Sequence, residues 1–220
     1  PTMAEFTVVS NNDGECVIKI NPECRFEIDN NELIWLGENG LDGNPYWSDS
    51  YIGNRRHIKI FNPETRMSYD FRRDDLAFDI LEKIDDNTLK IMLKNKDVFF
   101  PEGYVFQTRN IVRDQTGSLF QHCKNLVFEN LRIKFMHGLG MVSQFCENVT
   151  FRNCDFTPAE GRTIASTADF FQFSGCKGNL LVENCRAWGA HDDYVNVHGT
   201  HLRIIERIGN KLTVRFMHAE

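Results

Sequence analysis

Three stretches of the chain are copies of one pattern: NLVFENLRI from Asn125, NVTFRNCDF from Asn148 and NLLVENCRA from Asn179. Each reads Asn, aliphatic, any residue, Phe or Val, a charged residue, Asn, then Leu or Cys. A cysteine precedes each copy, at Cys123, Cys146 and Cys176. Asn125 to Asn148 is 23 residues and Asn148 to Asn179 is 31. A unit this short, holding one short strand, cannot bury its apolar face alone and must stack on its neighbours. The unequal spacing fits loops of different length between turns. A leucine-rich repeat is the competing solenoid, but the copies lack its leucine spacing and a helical segment. The pattern predicts an all-β chain built on a partial right-handed parallel β-helix.

Charge gives an independent check on that register. Stacking the copies puts Glu129, Arg152 and Glu183 in one column and Arg132, Asp155 and Arg186 in another. Both columns alternate in sign, as in-register neighbours should, because like charges opposite one another destabilise a sheet. The columns Leu126, Val149, Leu180 and Phe128, Phe151, Val182 are apolar throughout. Asn130, Asn153 and Asn184 fall where a turn corner needs left-handed backbone, which Asn tolerates.

A second strand follows each copy: LGMVSQF, DFFQFSG and DYVNVHG. Aligning Phe171-Gln172-Phe173-Ser174 with Val195-Asn196-Val197-His198 sets Asp169 under Asp193, one strand spacing of roughly 4.8 Å away. Asp192, a residue earlier, completes a cluster of three carboxylates. A lone Asp before a strand is usually a solvated turn residue. Three converging carboxylates repel one another and separate their pKa values, the signature of acid–base chemistry. Glycoside hydrolysis needs such a pairing of acid and base, and requires neither a metal nor an organic cofactor. A calcium site of three Asp is the rival, but a hard cation wants more oxygen ligands and DxDxDG spacing is absent. The cysteines form no CxxC pair, so zinc and redox motifs find no support. Cys154 and Cys185 read as small buried hydrophobes.

Composition narrows the partners. The net charge of −6 over 220 residues, without a basic cluster, argues against nucleic acid. No apolar run approaches the length of a membrane span. The chain opens on PTMAEF and closes within a strand-like run, as expected of a stretch of a longer protein; compartment stays open, with secretion or a periplasmic location plausible for the whole. Oligomeric state is likewise open.

The run ADFFQFSGCKGNLLVENCRAWGAHDDYVNVHGT, with LRIIERIGNKLTVRFMH after it, resembles glycoside hydrolase family 110, the exo-acting α-1,3-galactosidases. The specific likeness covers residues 117 to 218, with a looser one through FNPETRMSYDFRRDD. An Asp on one turn and an Asp-Asp doublet on the next are also similar to polygalacturonases. Here, however, the first motif is TAD rather than NTD, and the RIK that grips uronate is missing. The resemblance implies inverting hydrolysis of terminal α-1,3-linked galactose on an oligosaccharide or glycoconjugate. It implies Asp192 as general acid, with Asp169 and Asp193 sharing the base role. Arg162, His191, His198 and Trp188 become candidate sugar contacts; their plainer readings are a loop arginine, two satisfied histidines and a packing tryptophan. The alternatives are a polygalacturonase-like glycosidase and a carbohydrate-binding β-helix without turnover.

Residues 1–116 lack the repeat. EFTVVS, CVIKI, ELIWLG, HIKIFN, TLKIML and YVFQTR alternate apolar with polar residues between NNDG, NP and LDGNP turns, predicting an inserted antiparallel, barrel-like domain. RRDDLAFDILEKIDD carries mixed helix and loop signals. RDQTGS, 113–118, marks the boundary to the active-site turns at 117–200. Residues 201–220 begin a further hairpin, turning at Gly209-Asn210.

Overall fold

Apolar–polar alternation builds the first half. The computed structural model describes residues 3–51, 56–71, 73–111 and 115–217. Among them the first half forms β1 (Met3–Asn12), β2 (Glu15–Ile20), β3 (Arg25–Asp29), β4 (Glu32–Leu36), β5 (Ser48–Ser50), β6 (Arg56–Asn62), β7 (Met67–Asp70), β8 (Phe78–Lys83), β9 (Thr88–Leu93) and β10 (Val105–Asn110). Seven strands pair antiparallel in the order β7-β6-β10-β1-β2-β9-β8, and β3-β4-β5 make a second antiparallel sheet. One face of the large sheet is apolar: Phe6, Ile18, Ile58, Ile91 and Phe106 pack with Leu33 and Trp35 of the small sheet. Because the small sheet covers that face, the large one stays open between edges β7 and β8. Two facing sheets thus stand where a barrel-like closure was expected. The mixed stretch, described from Arg73 onward, gives one 3-10 turn at Arg73–Leu76 and then β8.

Strand alternation sends every second residue of β1 and β10 to the opposite face. That face carries Glu5, Gln107 and Arg109, which are 2%, 0% and 5% exposed. Polar groups this deeply buried need partners, and the second half supplies them.

That half is built from β11 (Ser118–Gln121), β12 (Lys124–Glu129), β13 (Met141–Gln144), β14 (Glu147–Arg152), β15 (Asp155–Phe156), β16 (Phe171–Ser174), β17 (Lys177–Glu183), β18 (Arg186–Ala187) and β19 (Val195–His198). They form three parallel stacks, β11-β13-β16-β19, β12-β14-β17 and β15-β18. Parallel bridges join Met136, Ser166 and Ala190. The apolar columns align as Leu126, Val149, Leu180 and Phe128, Phe151, Val182. Phe128 and Phe151 stack at 4.6 Å, and Phe171 meets Phe151 at 4.5 Å. Outside, Arg152 bridges Glu129 at 2.7 Å and Glu183 at 2.9 Å. Asp155 binds Arg186 at 2.7 Å and pairs in the backbone with Arg132.

Asn130, Asn153 and Asn184 take left-handed backbone at equivalent places, with φ of 58°, 54° and 52°. Asn125 and Asn148 do the same at φ 56° and 59°. In the third copy the pairing shifts by a residue, and Gly178 (φ 75°) takes the left-handed place that Asn179 was aligned with. Asn179 instead donates its backbone N–H to Asn148 Oδ1 at 2.9 Å.

All seven cysteines are free thiols; Cys146 and Cys154 are buried and donate to the Phe120 and Phe128 carbonyls of the preceding turn. Cys185 is half-buried. A last hairpin, β20 (Leu202–Ile208) with β21 (Lys211–Phe216), turns at Gly209 as expected. Of the boundary expected at 113–118, residues 113 and 114 lie outside the described residues, as do both ends of the chain. No helix among the described residues is long and apolar enough to cross a membrane.

Candidate active site

β16 and β19 pair as Phe171 with Val195, Gln172 with Asn196, Phe173 with Val197 and Ser174 with His198. Just before these strands the ladder continues, with Phe170 N–H donating to the Asp193 carbonyl at 3.1 Å. Asp169 therefore lies against Asp193 on the adjacent turn. One carboxylate oxygen from each of Asp169, Asp192 and Asp193 lies within 4.8 Å of the other two.

The three carboxylates differ in environment. Asp169 is 3% exposed, whereas Asp192 and Asp193 are exposed. Both oxygens of Asp169 accept hydrogen bonds, Oδ1 from Asp193 N–H at 3.3 Å and Oδ2 from Asn196 Nδ2 at 3.1 Å. Burial pushes the Asp169 carboxyl above its ordinary range, the Asn196 bond pulls it down, and the Asp192 charge pushes it up. A carboxyl held by two donors and raised by burial is, once ionised, a stronger base than one in water.

Neighbouring polar groups share this strand face. Gln172 Nε2 lies 3.2 Å from His198 Nε2. His198 Nδ1 lies 2.8 Å from the Gly199 carbonyl, which can only accept. The proton therefore sits on Nδ1, and Nε2 accepts from Gln172. Sequence reasoning singled out His198 but not Gln172, Asn196 or Ser166. Ser166 Oγ donates to the Asp169 carbonyl at 2.8 Å and so fixes the loop that presents Asp169.

The other three expected sugar contacts engage the first half of the chain. Arg162 lies in the long insertion between turns, with its side chain 14% exposed, and pairs with Glu5 at 3.4 Å and Glu23 at 3.2 Å. The Trp188 ring stacks on Phe61 at 6.0 Å, and the Arg66 guanidinium lies 5.7 Å from it. His191 is 4% exposed, between Arg109 and Gln107 of β10. The insertion that stretches the repeat from 23 to 31 residues thus docks on the large sheet together with Trp188 and His191 of the next turn. Asn21 Nδ2 donates to the Gly161 carbonyl, and Thr163 N–H donates to Glu5.

No family model matches the chain. Individual relatives do. The chain is 35% identical over 223 residues to alpha-1,3-galactosidase A of Akkermansia muciniphila, covering all of itself and 35% of that protein. It is 32% identical to alpha-1,3-galactosidase A of Bacteroides thetaiotaomicron over 99% of its length and 37% of the relative. Alpha-1,3-galactosidase B of the same organism is 31% identical over 86% of the chain and 30% of the relative. The chain spans about a third of the length of these relatives. Through both the antiparallel sheets and the parallel stacks, the chain is thus similar in sequence to about a third of the length of proteins named alpha-1,3-galactosidase.

Proposed function

We propose that the protein containing this chain is an exo-glycosidase that removes terminal α-1,3-linked galactose from oligosaccharides or glycoconjugates. The observation that carries the reading is the convergence of Asp169, Asp192 and Asp193 within 4.8 Å, one buried and two exposed, in a chain related to alpha-1,3-galactosidases. In this reading the parallel stacks belong to a right-handed parallel β-helix over residues 117–200. Residues 1–116 form an inserted antiparallel domain, and residues 201–220 open a further one. Exposed Asp192 donates a proton to the leaving oxygen. Asp169, whose two oxygens accept from Asp193 N–H and Asn196, shares with Asp193 the role of receiving the proton of the attacking water. His198 is the remaining sugar contact of the four expected; Arg162, Trp188 and His191 hold the two halves together.

A second reading follows from one distance. Oxygens within 4.8 Å resemble the roughly 5–5.5 Å separation of retaining pairs more than the roughly 6.5–9.5 Å of inverting ones. Retention and inversion give opposite first anomers. The full-length protein, incubated with a terminal α-1,3-galactosyl oligosaccharide, is expected to release galactose seen first as the β-anomer by proton NMR. First-formed α-galactose moves the mechanism to retention. Release of uronic acid from polygalacturonate, or no turnover of any α-galactoside, ends the proposal.

A further inference from the structure

The Asp192–Asp193 doublet poses a mechanical problem. Two like charges sit on exposed backbone before β19 begins, and a misplacement of about 1 Å at a reacting group can cost a hundredfold in rate. Something must hold residues 190–193 against that repulsion. Backbone pairing accounts for part: His191 N–H donates to the Ser166 carbonyl at 3.1 Å, and Ser166 Oγ donates to the Asp169 carbonyl. A further hold comes from outside the repeat.

His191 precedes the doublet and is clamped at both ring nitrogens by β10. Arg109 Nε lies 3.2 Å from His191 Nδ1, and an arginine only donates, so Nδ1 carries no proton. The ring hydrogen is then on Nε2, which donates to Gln107 Oε1 at 3.0 Å. Gln107 is itself fixed on both sides. Ser68 Oγ donates to the same oxygen at 2.8 Å, and the Gln107 amide donates to Thr163 Oγ1 at 2.8 Å. Gln107, Arg109 and His191 are 0%, 5% and 4% exposed, so the network is shielded from solvent, where its hydrogen bonds are strengthened. β10 lies inside the large sheet, between β6 and β1, which makes it a firm anchor.

We infer that Gln107 and Arg109 are positioning residues for the reaction, setting the Asp192–Asp193 doublet against Asp169 through His191. This rests on the galactosidase reading of the same carboxylates. It gives the antiparallel sheet a role in the rate of a reaction whose acid and base it does not supply.

The test uses the full-length protein and a terminal α-1,3-galactosyl oligosaccharide. Gln107→Leu removes the acceptor for Nε2–H while keeping the volume; kcat is expected to fall about ten- to a hundredfold with KM within about twofold. His191→Leu should match that loss. His191→Gln, whose amide N–H can reach Gln107, should recover part of it, which a merely space-filling role does not predict. Should Gln107→Leu fail to fold, the His191 pair carries the test. A kcat near wild type in both Leu variants, or no difference between His191→Leu and His191→Gln, overturns the inference. A wild-type enzyme inert to α-galactosides sinks the function instead. The positioning is then decided by a crystal structure of Gln107→Leu: residues 190–193 displaced from Asp169 uphold it, and an unmoved doublet refutes it.

Discussion

Asp169 is the residue whose surroundings say most about its work. Its folded carboxyl is raised, chiefly by burial, above the unfolded value of about 3.9. A raised acid binds its proton more tightly when folded. Its contribution is therefore present below the unfolded pKa and is lost as pH rises through the folded one. Relative to the wild type, Asp169→Asn should gain thermal stability between pH 4 and pH 7, by melting followed in parallel for both proteins. A constant offset across that range means the carboxyl is not raised. The same substitution, and Asp192→Asn or Asp193→Asn, should each lower kcat about 100- to 10,000-fold, since a placed acid or base contributes that much. Rates near wild type in all three variants remove the cluster from the mechanism. The site was legible in the sequence to this extent: register alone brought Asp169 beside Asp193. Asn196 went unnoticed because an Asn inside a strand has no pattern of its own until its neighbour's carboxylate is located.

At the scale of the element, the repeat could be read because in-register parallel stacking imposes column rules on both faces. Apolar columns followed from the core, and sign alternation from charge repulsion, so two physical constraints agreed on one register. One departure, the shift at Gly178, was hidden because Asn179 continues the Asn column in sequence while a glycine takes the left-handed backbone. Two changes probe these stacks. Phe151 is fully buried between Phe128 and Phe171, so Phe151→Ala should cost about 3–5 kcal/mol, read by denaturant melting. A loss under about 1 kcal/mol would contradict a packed stack. Gly140 sits at φ 69°, where a Cβ would run into the Asp169 carbonyl. Gly140→Ala should thus lower stability by about 1–3 kcal/mol and, on the proposed role of Asp169, also reduce kcat, because the collision falls on the backbone that presents its carboxylate. Lost stability with unchanged kcat would separate that backbone from the site.

For the whole molecule, what the sequence hid was how its halves meet. EFTVVS and YVFQTR read as strands with one wet face, because period-two alternation looks the same whether polar residues meet water or another part of the chain. Glu5 and Arg162, 157 residues apart, are the clearest case. Glu5 is 2% exposed; burial raises its carboxyl, and the Arg162 guanidinium pulls it back. Breaking one side of a buried pair leaves an uncompensated charge, so Arg162→Met should cost about 3–5 kcal/mol at neutral pH. Without its cation the Glu5 carboxyl rises further above its already raised folded value. The deficit should therefore shrink as pH falls through that raised value, while still above the unfolded value of about 4.3. Adding Glu5→Gln removes the stranded charge and should restore much of the loss, a double-mutant cycle that isolates the pair. Unfolding should stay a single transition in the wild type and split in Arg162→Met if this pair couples the sheets to the stacks. Additive losses with one unchanged transition would show instead that the halves are joined by other contacts, with the buried pair contributing only its own local energy.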